Sequence, residues 1–492
     1  MRITSKPLIL PVSAPPDPAR LFQALGGPAK KYGFLLESAL AGGAMGRYSW
    51  AGVDPFLVIE AKDNRVTLTE GKTAETILAE PLSVLEHYLD RYRMPRVDAP
   101  VPFWGGAVGY FAYDLGRRLE ALPQTALDDQ PLPDLLLGFY HTVVGVDHQS
   151  GRVYACAVPL PGEPETALRQ RAGRLVARLE EPAGAGPRPA EVHRSLNTMS
   201  QMGELSLAGI RSHFTRESYC RAVERAKEYI AAGDIFQVNL AQRLSARLQM
   251  TPWQLYLVLR RLNPAPFASY LHFPGFQVTG ASPERFLHLN GRRVVTRPIK
   301  GTRPRGRDEE SDRARREELW NSAKDRAELT MIIDLERNDL GRVCETGSVR
   351  VPELFRLEAY PTVFHLVSTV EGLLAPGKNV VDLLRGTFPG GSITGAPKIR
   401  AMEIIEELEP VRRGIYTGST GWIGFHGDAD LNIVIRTVVA VDGLAHFHVG
   451  GGLTAGSVPE DEYEETLDKA RAVIRALRQA ENNNYFSFNL GR

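Results

Sequence analysis

Short runs of β-branched and apolar residues, each bounded by turn residues, are the feature that most constrains the fold of this chain. In residues 1 to about 160, clear examples are residues 56–60, 66–69 and 142–146. Runs of this length with turns between them are typical of antiparallel strands joined by short connections. The sequence therefore predicts an antiparallel sheet in this part of the chain.

The chain is long enough for two lobes. Its 492 residues, of which 43% are hydrophobic, can bury a large core and exceed the size of one ordinary domain. A helical stretch over 164–179 leads into residues 181–189, whose proline, glycine and alanine content blocks regular structure. We predict an N-terminal lobe over 1–190 that ends in this linker, a second lobe over 206–481 and a loose tail over 482–492.

Charge and cysteine usage exclude several classes of protein. The 59 basic and 58 acidic residues nearly balance, so the chain has no general attraction to nucleic acid or to an anionic membrane, and a small-molecule partner is expected. Cys156, Cys220 and Cys344 lack the spacing of a disulfide framework or a zinc site. No signal peptide or transmembrane run is found, and a cytoplasmic location is expected.

The second lobe is predicted to mix strands with long helices. Thr215 is a plausible N-cap for a helix that ends at Gly233, and residues 234–243 read as the strand that follows it. Further strands are predicted at 277–281, 293–297, 416–425, 431–441 and 445–449. Further helices are predicted at 312–340, 397–409 and 459–481.

Lys300 stands in a stretch, residues 298–306, that contains two prolines and two glycines. Proline fixes φ and glycine allows close backbone approach, so a rigid loop is predicted in which an anion could meet the amine and free N–H groups together. The alternative from composition alone is a basic surface turn.

Two pairs of acidic residues are spaced so that each pair lies on one side of a helix. Asp325 and Glu328 form one pair, and Glu462 and Glu465 form the other. If the two faces converge, Mg²⁺ is the expected metal, because it needs few carboxylates and leaves positions for water and substrate oxygens. The alternative is two solvated helix surfaces.

Two glycine-rich stretches resemble nucleotide-binding loops but lack their context. Residues 450–455 match Gly-x-Gly-x-x-Ala without a following βαβ unit, and residues 389–398 have Ala396 and Pro397 where a phosphate loop needs lysine and serine or threonine. A helix that begins at Pro397 could still hold a carboxylate, with Thr394 and Lys398 beside it.

Glu284 and His365 lie in or near apolar runs. Burial would raise the pKa of the carboxyl group, so either residue is a candidate acid catalyst, although structural roles are the commoner alternative.

Six blocks of this sequence together resemble the chorismate-utilising enzymes, and the resemblance covers nearly the whole chain. The blocks are residues 234–239, 282–285, 298–306, 331–339, 390–402 and 430–437. The resemblance implies an α+β fold in which two large antiparallel β-sheets pack as a sandwich with helices outside, and in which the N-terminal half takes part.

The resemblance also implies roles for single residues. Glu328 and Glu465 match ligands of Mg²⁺, and Glu462 is close enough to act through water. Glu284 matches the general acid and His365 an active-site histidine. The positions that match contacts to chorismate are Gly301, Thr302, Tyr416, Arg436, Gly450, Gly451 and Gly452.

Two positions separate the branches of this family. Isochorismate-forming members have lysine where Gln237 stands, so Gln237 favours a member that uses ammonia. Anthranilate-forming members generally have alanine at position 300, whereas the branch that makes aminodeoxychorismate has lysine. Lys300 is therefore expected to add covalently to C2 of chorismate. The anthranilate reaction and a non-catalytic, amino-acid-binding regulator are the alternatives.

The source of ammonia must lie outside this chain, because no cysteine stands in the glycine-rich elbow of a glutaminase. By the resemblance, a separate glutamine amidotransferase subunit is expected to form a heterodimer with it. Near the N-terminus, residues 35–38 match an element that binds tryptophan in relatives, which makes Ser38 a candidate contact. The companion residues Pro266, Phe267 and Ala268 depart from the feedback-regulated pattern, so either a structural tryptophan or an empty pocket is compatible with the sequence.

Overall fold

The fold was described from a computed structural model, over residues 6–39, 45–181, 207, 209–360 and 363–479. Most of the predicted linker and the whole predicted tail lie outside these residues. Within them, no helix is both long and apolar enough to cross a membrane. Cys156, Cys220 and Cys344 are all free thiols.

The strands are short in the first half and longer in the second. They are β1 (Leu8–Val12), β2 (Gly33–Glu37), β3 (Tyr48–Gly52), β4 (Leu57–Lys62), β5 (Arg65–Glu70), β6 (Thr73–Leu78), β7 (Gly106–Phe111), β8 (Leu135–Tyr140), β9 (Thr142–Asp147), β10 (Arg152–Ala157), β11 (Ile210–Ser212), β12 (Gln237–Arg247), β13 (Phe267–Phe273), β14 (Phe276–Ser282), β15 (Arg285–Asn290), β16 (Arg293–Arg297), β17 (Ile299–Pro304), β18 (Arg350–Ala359), β19 (Val363–Leu373), β20 (Gly395–Ala396), β21 (Ser419–Gly424), β22 (Ala429–Ile433), β23 (Thr437–Val441) and β24 (Leu444–Leu453).

The helices connect these strands and mostly begin at a side-chain cap or a proline. They are α1 (Pro18–Ala24), α2 (Pro81–Arg91), α3 (Glu165–Glu180), α4 (Arg216–Ala231), α5 (Pro252–Leu262), α6 (Glu309–Asn321), α7 (Ala323–Gly341), α8 (Val380–Thr387), α9 (Lys398–Leu408) and α10 (Pro459–Arg478). The predicted cap of α4 is confirmed: Thr215 accepts from the N–H of Ser218 in a reciprocal capping box.

In the described part of the chain, the strands form two antiparallel sheets of 12 strands each. The first sheet runs β1-β10-β9-β3-β2-β13-β14-β23-β24-β12-β11, with β20 paired to β12. The second runs β17-β19-β16-β15-β22-β21-β7-β8-β4-β5-β6, with β18 paired to β19. Both sheets therefore combine strands from the two halves of the chain, through the pairs β2–β13 and β7–β21. The predicted α+β fold with two large antiparallel sheets is confirmed.

The main core lies between the two sheets. Trp50 of the first sheet meets Trp422 of the second with ring centroids 5.6 Å apart, and Phe34 meets Tyr140 at 4.6 Å. Edge-to-face and tilted aromatic pairs of this kind bury large areas and fix the relative position of the sheets. Helices α4, α5, α9 and α10 pack on strands of the first sheet, while α6 and α7 pack on β17 and β19 of the second.

Three sequence predictions in the second half were wrong in detail. The predicted helix 312–340 is two helices, because Ser322 leaves the helical conformation and caps α7 by accepting from the N–H of Asp325. The predicted strand 431–441 is β22 and β23, which belong to different sheets. The predicted loop around Lys300 is strand β17, in which Gly301 has φ 74° and the register with β19 shifts.

Candidate functional site

The site is built around the Lys300 amine of strand β17, which continues the line of β16 along one side of β19. The register shift at Gly301 marks a β-bulge, which redirects the side chains beside it. Lys300 Nζ donates to the carbonyl of Ser392 at 3.0 Å. Burial lowers the pKa of this amine, although the carboxylates of Glu328 and Glu284 favour its charged form. The amine therefore loses its proton more readily than an exposed lysine does.

Glu284 stands where the chain crosses from the first sheet to the second, between β14 and β15. Its carboxyl is buried, with 5% of the residue exposed, and burial raises its pKa against the opposing effects of the Ser392 hydrogen bond and of Lys300. The backbone carbonyl of Glu284 accepts from the N–H of Ile433 at 3.0 Å. A raised pKa favours the protonated form of this carboxyl, the form that a general acid needs.

Arg436 stands at a second crossover between the sheets, between β22 and β23. Its backbone has φ 51°, and its carbonyl accepts from the N–H of Ala281 at 3.1 Å. Burial lowers the pKa of the guanidinium, and the nearby Glu284 carboxylate opposes this. Among the described residues its side chain has no hydrogen-bond or ion-pair partner. A guanidinium in this condition is suited to bind a carboxylate from a ligand.

Gln237 and Gly452 bring the first sheet to the Lys300 amine. A Cβ on Gly452 would lie 2.0 Å from Gln237 Nε2 and 3.5 Å from Lys300 Nζ, so glycine is required for this approach. Gln237 is 1% exposed, and its Oε1 is buried without a hydrogen-bond partner in the described structure. A buried amide oxygen left unpaired is available to a ligand.

His365 lies across the strand pair from Thr302, whose hydroxyl is 2.9 Å from His365 Nδ1. The residue is 2% exposed, and burial lowers its pKa to about 3. The imidazole is therefore neutral at physiological pH, so it can donate one hydrogen bond and accept another but does not carry a positive charge.

The two acidic helix faces predicted from the sequence do meet. Lys324 Nζ lies 3.9 Å from Glu328 Oε1 and 4.0 Å from Glu462 Oε1, which joins α7 to α10. A Cβ on Gly451 would lie 3.3 Å from Glu462 Oε2 and 3.4 Å from Glu465 Oε1. The carboxylates of Glu328, Glu462 and Glu465 thus face one region of the site. This region lies next to residues 450–452 of β24, which we call the glycine strand.

The donor set of this region fits a hard cation that keeps several waters. Glu328 Oε1 is buried without a hydrogen-bond partner in the described residues, and burial raises the pKa of that carboxyl. Burial also raises the pKa of the Glu462 carboxyl. Within the described part of the chain, no group of three or more His, Cys, Asp and Glu side chains is arranged to hold a metal ion by itself. Water and ligand oxygens would have to complete the coordination.

Gly450, Gly451 and Gly452 lie in strand β24 and pair with β12, not in a loop before a helix. Tyr416 lies close by, with its ring stacked on that of His448 at 4.9 Å. This placement does not fit a dinucleotide-binding loop, because such a loop leads directly from a strand into a helix and this strand does not.

Thr394 and Lys398, predicted to bind substrate, are both engaged within the protein. The Thr394 hydroxyl donates to carbonyls of its own turn, at Gly390 and Gly391. Lys398 Nζ bonds to Asp339 and to two backbone carbonyls, which uses all three of its donors. We therefore assign both to the structure of the turn and leave them out of the proposed binding residues.

Ser392 was missed by the sequence analysis, although it lies inside one of the blocks that carry the resemblance. Its carbonyl accepts from the Lys300 amine, and its side chain lies near Glu284 and acts to lower the pKa of that carboxyl. A carbonyl acceptor has no side-chain signature, so only the position of the turn could have pointed to it.

A cavity of about 350 Å³ lies next to β2 and β13, and Lys300 is not among its lining residues. Pro266, Phe267 and Ala268 line it, as do Arg47 and Trp50. Ser38 is buried nearby, and its N–H donates to the Ser49 hydroxyl at 3.0 Å. The cavity is large enough for an amino acid, and its lining mixes apolar with charged groups, as in other small-molecule sites.

Comparison with known proteins places these observations in one family. A family model described as chorismate binding enzyme matches residues 34–475. The chain is 45% identical to anthranilate synthase component 1 of Thermus thermophilus, over 91% of this chain and 92% of the relative. It is 41% identical to aminodeoxychorismate synthase component 1 of Bacillus subtilis, over 92% and 93%.

Solved structures agree with the sequence relatives. Anthranilate synthase component I from Streptococcus pneumoniae superposes with a TM-score of 0.75 and 30% identity, covering 89% of this chain and 94% of that one. The menaquinone-specific isochorismate synthase of Escherichia coli has a TM-score of 0.70 at 17% identity, covering 96% and 95%, and shares the fold.

Proposed function

We propose a function for this chain from one premise: the chain belongs to the chorismate-binding enzyme family. The function is that of component 1 of an aminodeoxychorismate synthase, which converts chorismate and ammonia to 4-amino-4-deoxychorismate for the biosynthesis of 4-aminobenzoate and folate. The observation that carries the proposal is the Lys300 amine, which has a lowered pKa and shares Ser392 with Glu284, whose pKa is raised. A neutral amine beside a protonated carboxyl is the pair that this reaction needs.

In the proposed first step, the neutral amine of Lys300 adds to C2 of chorismate, both conjugated double bonds of the ring shift by one position, and the bond between C4 and its oxygen breaks. Glu284 gives its proton to the departing oxygen, which leaves as water. The product of this step is a covalent adduct with a positively charged secondary amine and an ionised Glu284. Without the proton, the leaving group would be hydroxide, which departs far more slowly.

In the proposed second step, ammonia adds at C4, both ring double bonds return to their original positions, and the bond between C2 and the Lys300 nitrogen breaks. Lys300 is released as a neutral amine. The new ammonium group at C4 gives a proton to Glu284, which restores the acid for the next cycle. The net change is chorismate plus ammonia to aminodeoxychorismate plus water, with the enolpyruvyl group retained.

Substrate binding is proposed to rest on charge pairing and backbone contacts. The unpaired Arg436 guanidinium is suited to one carboxylate of chorismate, and backbone N–H groups of the glycine strand to polar oxygens. His365, neutral and bonded to Thr302, can orient a substrate oxygen without adding charge. The proposed contacts are Gln237, Gly301, Thr302, Tyr416, Arg436, Gly450, Gly451 and Gly452.

Glu328 and Glu465 are proposed to hold Mg²⁺, with Glu462 acting through water. When bound, the ion would neutralise the ring carboxylate of chorismate and help to orient it. What supports this is the convergence of the three carboxylates and the buried oxygen of Glu328, which has no hydrogen-bond partner among the described residues. The chain's own contribution is to hold these groups on two helices that Lys324 links.

Ammonia is proposed to come from a glutamine amidotransferase subunit. Both Cys156 and Cys344 are buried, and burial raises the pKa of each thiol, which makes them poor nucleophiles. Cys220 lies on helix α4, and burial also raises its pKa. The two bacterial relatives are named as component 1 of their enzymes, which is consistent with a second subunit.

A second candidate function is that of anthranilate synthase component 1. The observation that favours it is the 45% identity to the Thermus thermophilus relative, against 41% to the Bacillus subtilis aminodeoxychorismate synthase component. Both reactions begin with chorismate and ammonia, but only the anthranilate reaction releases pyruvate. The identity of the product therefore separates the two.

The test is a product assay on the purified chain with chorismate, Mg²⁺ and ammonium. Aminodeoxychorismate is expected by liquid chromatography and mass spectrometry, without pyruvate in a coupled lactate dehydrogenase assay. Anthranilate with an equal amount of pyruvate would replace the proposal by the second candidate. No turnover, with ammonium or with an amidotransferase subunit, would favour a non-catalytic regulator.

A further inference from the structure

The turn that holds the Lys300 amine is itself held by helix α7. This turn, residues 387–398, connects α8 to α9 and presents the Ser392 carbonyl to Lys300. At its base, Lys398 bonds to Asp339 of α7 and to the carbonyls of Thr387 and Pro389. The base of the turn is thereby tied to α7 by a buried ion pair.

Glu336 ties the tip of the same turn to α7. It lies one helical turn before Asp339, and its Oε1 accepts from the backbone N–H of Gly391 at 3.2 Å. A Cβ on Gly391 would lie 2.8 Å from Leu335 and 3.2 Å from Glu336 Oε1, so helix and turn are in close contact. The next residue after Gly391 is Ser392, the acceptor for Lys300.

From this chain of contacts we propose that Glu336 is a positioning residue for the Lys300 amine. By fixing the N–H of Gly391, it sets where the Ser392 carbonyl lies, and that carbonyl sets where Nζ lies. It touches neither the amine nor any reacting atom in this arrangement. This proposal rests on the proposed function, since it supposes that Lys300 is the nucleophile.

The surroundings of Glu336 keep its carboxyl neutral. The residue is 2% exposed, and burial, with the nearby Asp339 and Glu284 carboxylates, raises its pKa, while Lys398 and the Gly391 N–H act in the opposite direction. Its Oε2 has no hydrogen-bond partner among the described residues. A neutral carboxyl can be replaced by an amide without loss of the acceptor that Gly391 uses.

The variants separate the acceptor from the acid. Glu336→Gln keeps a carbonyl oxygen at the same distance from the backbone, and Glu336→Leu removes the acceptor. Glu336→Asp keeps the carboxyl but shortens the side chain by one methylene group. Ile333→Val, a buried position of the same helix, is the control for a small loss of stability. Glu336→Asp buries no new apolar group, so it serves if Glu336→Leu does not fold.

We expect kcat with saturating ammonium to fall about 10- to 100-fold in Glu336→Leu and Glu336→Asp, because a small misplacement of a reacting group has effects of that order. KM for chorismate should change less than about threefold, since the proposed substrate contacts are intact. Glu336→Gln and Ile333→Val should stay within about threefold of the wild type in kcat. A wild-type kcat in both Glu336→Leu and Glu336→Asp would overturn the proposal. A decrease in kcat of Glu336→Gln as large as in those two variants would also overturn it.

A second measurement does not depend on chorismate. The rate of Lys300 modification by an amine-specific reagent is followed by peptide mass spectrometry, with the exposed Lys30 as internal reference. Loss of the Ser392 hydrogen bond should make Lys300 react at least about threefold faster in the Leu and Asp variants only. Equal rates in all variants would overturn the positioning role. If these rates differ as expected but the wild type makes no aminodeoxychorismate, the proposed function fails and the positioning role stands.

Discussion

Gly452→Ala is the most informative single substitution in this site, because it adds one carbon atom between the two sheets. The new Cβ would lie 2.0 Å from Gln237 Nε2, far inside contact distance, and 3.5 Å from Lys300 Nζ. Gln237 is 1% exposed, so its amide has little free space into which to turn. The alanine must therefore displace the Gln237 side chain or separate β12 from β24.

The expected magnitudes follow from this clash. Overpacking by one methyl group in a closed site destabilises by about 1–3 kcal/mol. With an unfolding entropy of about 2 cal/mol/K per residue, that corresponds to a decrease in Tm of about 1–3 °C for a chain of this length. The effect on turnover should be larger, about 100-fold in kcat, because the displacement occurs beside the Lys300 amine.

The assay compares kcat, KM and Tm for five proteins: the wild type, Gly452→Ala, Gln237→Ala, the double variant and a control. Gly456→Ala is the matched control, because a Cβ at that position meets nothing within 4 Å. In the double variant Gly452→Ala/Gln237→Ala the clash is gone, so Tm should recover relative to Gly452→Ala, a coupling that a double-mutant cycle measures. If Gly452→Ala has wild-type kcat, or if the double variant recovers no stability, the reasoning from this contact is wrong.

Four further outcomes are expected. Wild-type protein incubated with chorismate without ammonia should gain the mass of chorismate minus water on the peptide that contains Lys300, and Lys300→Ala should not; an adduct on the variant would contradict the nucleophile. Mg²⁺ should raise the Tm of the wild type by mass action, and Glu328→Gln should need a higher concentration for the same rise; equal responses would exclude Glu328 as a ligand. Tryptophan should release or absorb heat on titration into the wild type and bind more weakly to Arg47→Ala; no heat at millimolar ligand would argue for an empty cavity. The pKa of Glu336 is raised in the folded state, whereas in the unfolded chain this carboxyl loses its proton near its ordinary pKa of 4.5. The folded chain therefore binds a proton that the unfolded chain does not bind at pH values between 4.5 and the raised pKa. The contribution of Glu336 to stability falls as the pH rises through this interval. Glu336→Gln should therefore gain in Tm over the wild type as pH rises from about 5 to 7, and a difference independent of pH would contradict the raised pKa.

Local patterns in the sequence located a part of this fold. The strand 293–297 and the helix after Thr215 were predicted from β-branched runs and from a cap, both of which depend on neighbours in sequence. The spacing of apolar residues predicted helix α10, and the three-residue separation of Glu462 and Glu465 predicted that both lie on one side of it. Such features are local, so the sequence carries them directly.

The sequence did not show the features that depend on distant pairing. Strand β17 contains two residues that normally weaken a strand, Gly301 and Pro304, and is kept in the sheet by its long partner β19. Lys398 resembled a ligand-binding lysine because its partner Asp339 lies 59 positions earlier in the chain. Pairings of this kind are decided by tertiary packing, which no local pattern reports.

Glu284, the proposed acid, and Arg436, the proposed partner of a substrate carboxylate, both stand where the chain passes from one sheet to the other. At these crossovers the backbone leaves one ladder before it enters the next, and the two side chains lie close enough that each opposes the effect of burial on the pKa of the other. Hydrogen bonds from Ala281 to the Arg436 carbonyl and from Ile433 to the Glu284 carbonyl join the two crossovers to each other. Because each sheet is a large unit with its own core contacts, the acid and the guanidinium are held at a fixed separation by the packing of the whole molecule. This explains why the predicted continuous strand 431–441 had to break: an unbroken strand would have kept Arg436 within one sheet, away from Glu284 and Lys300.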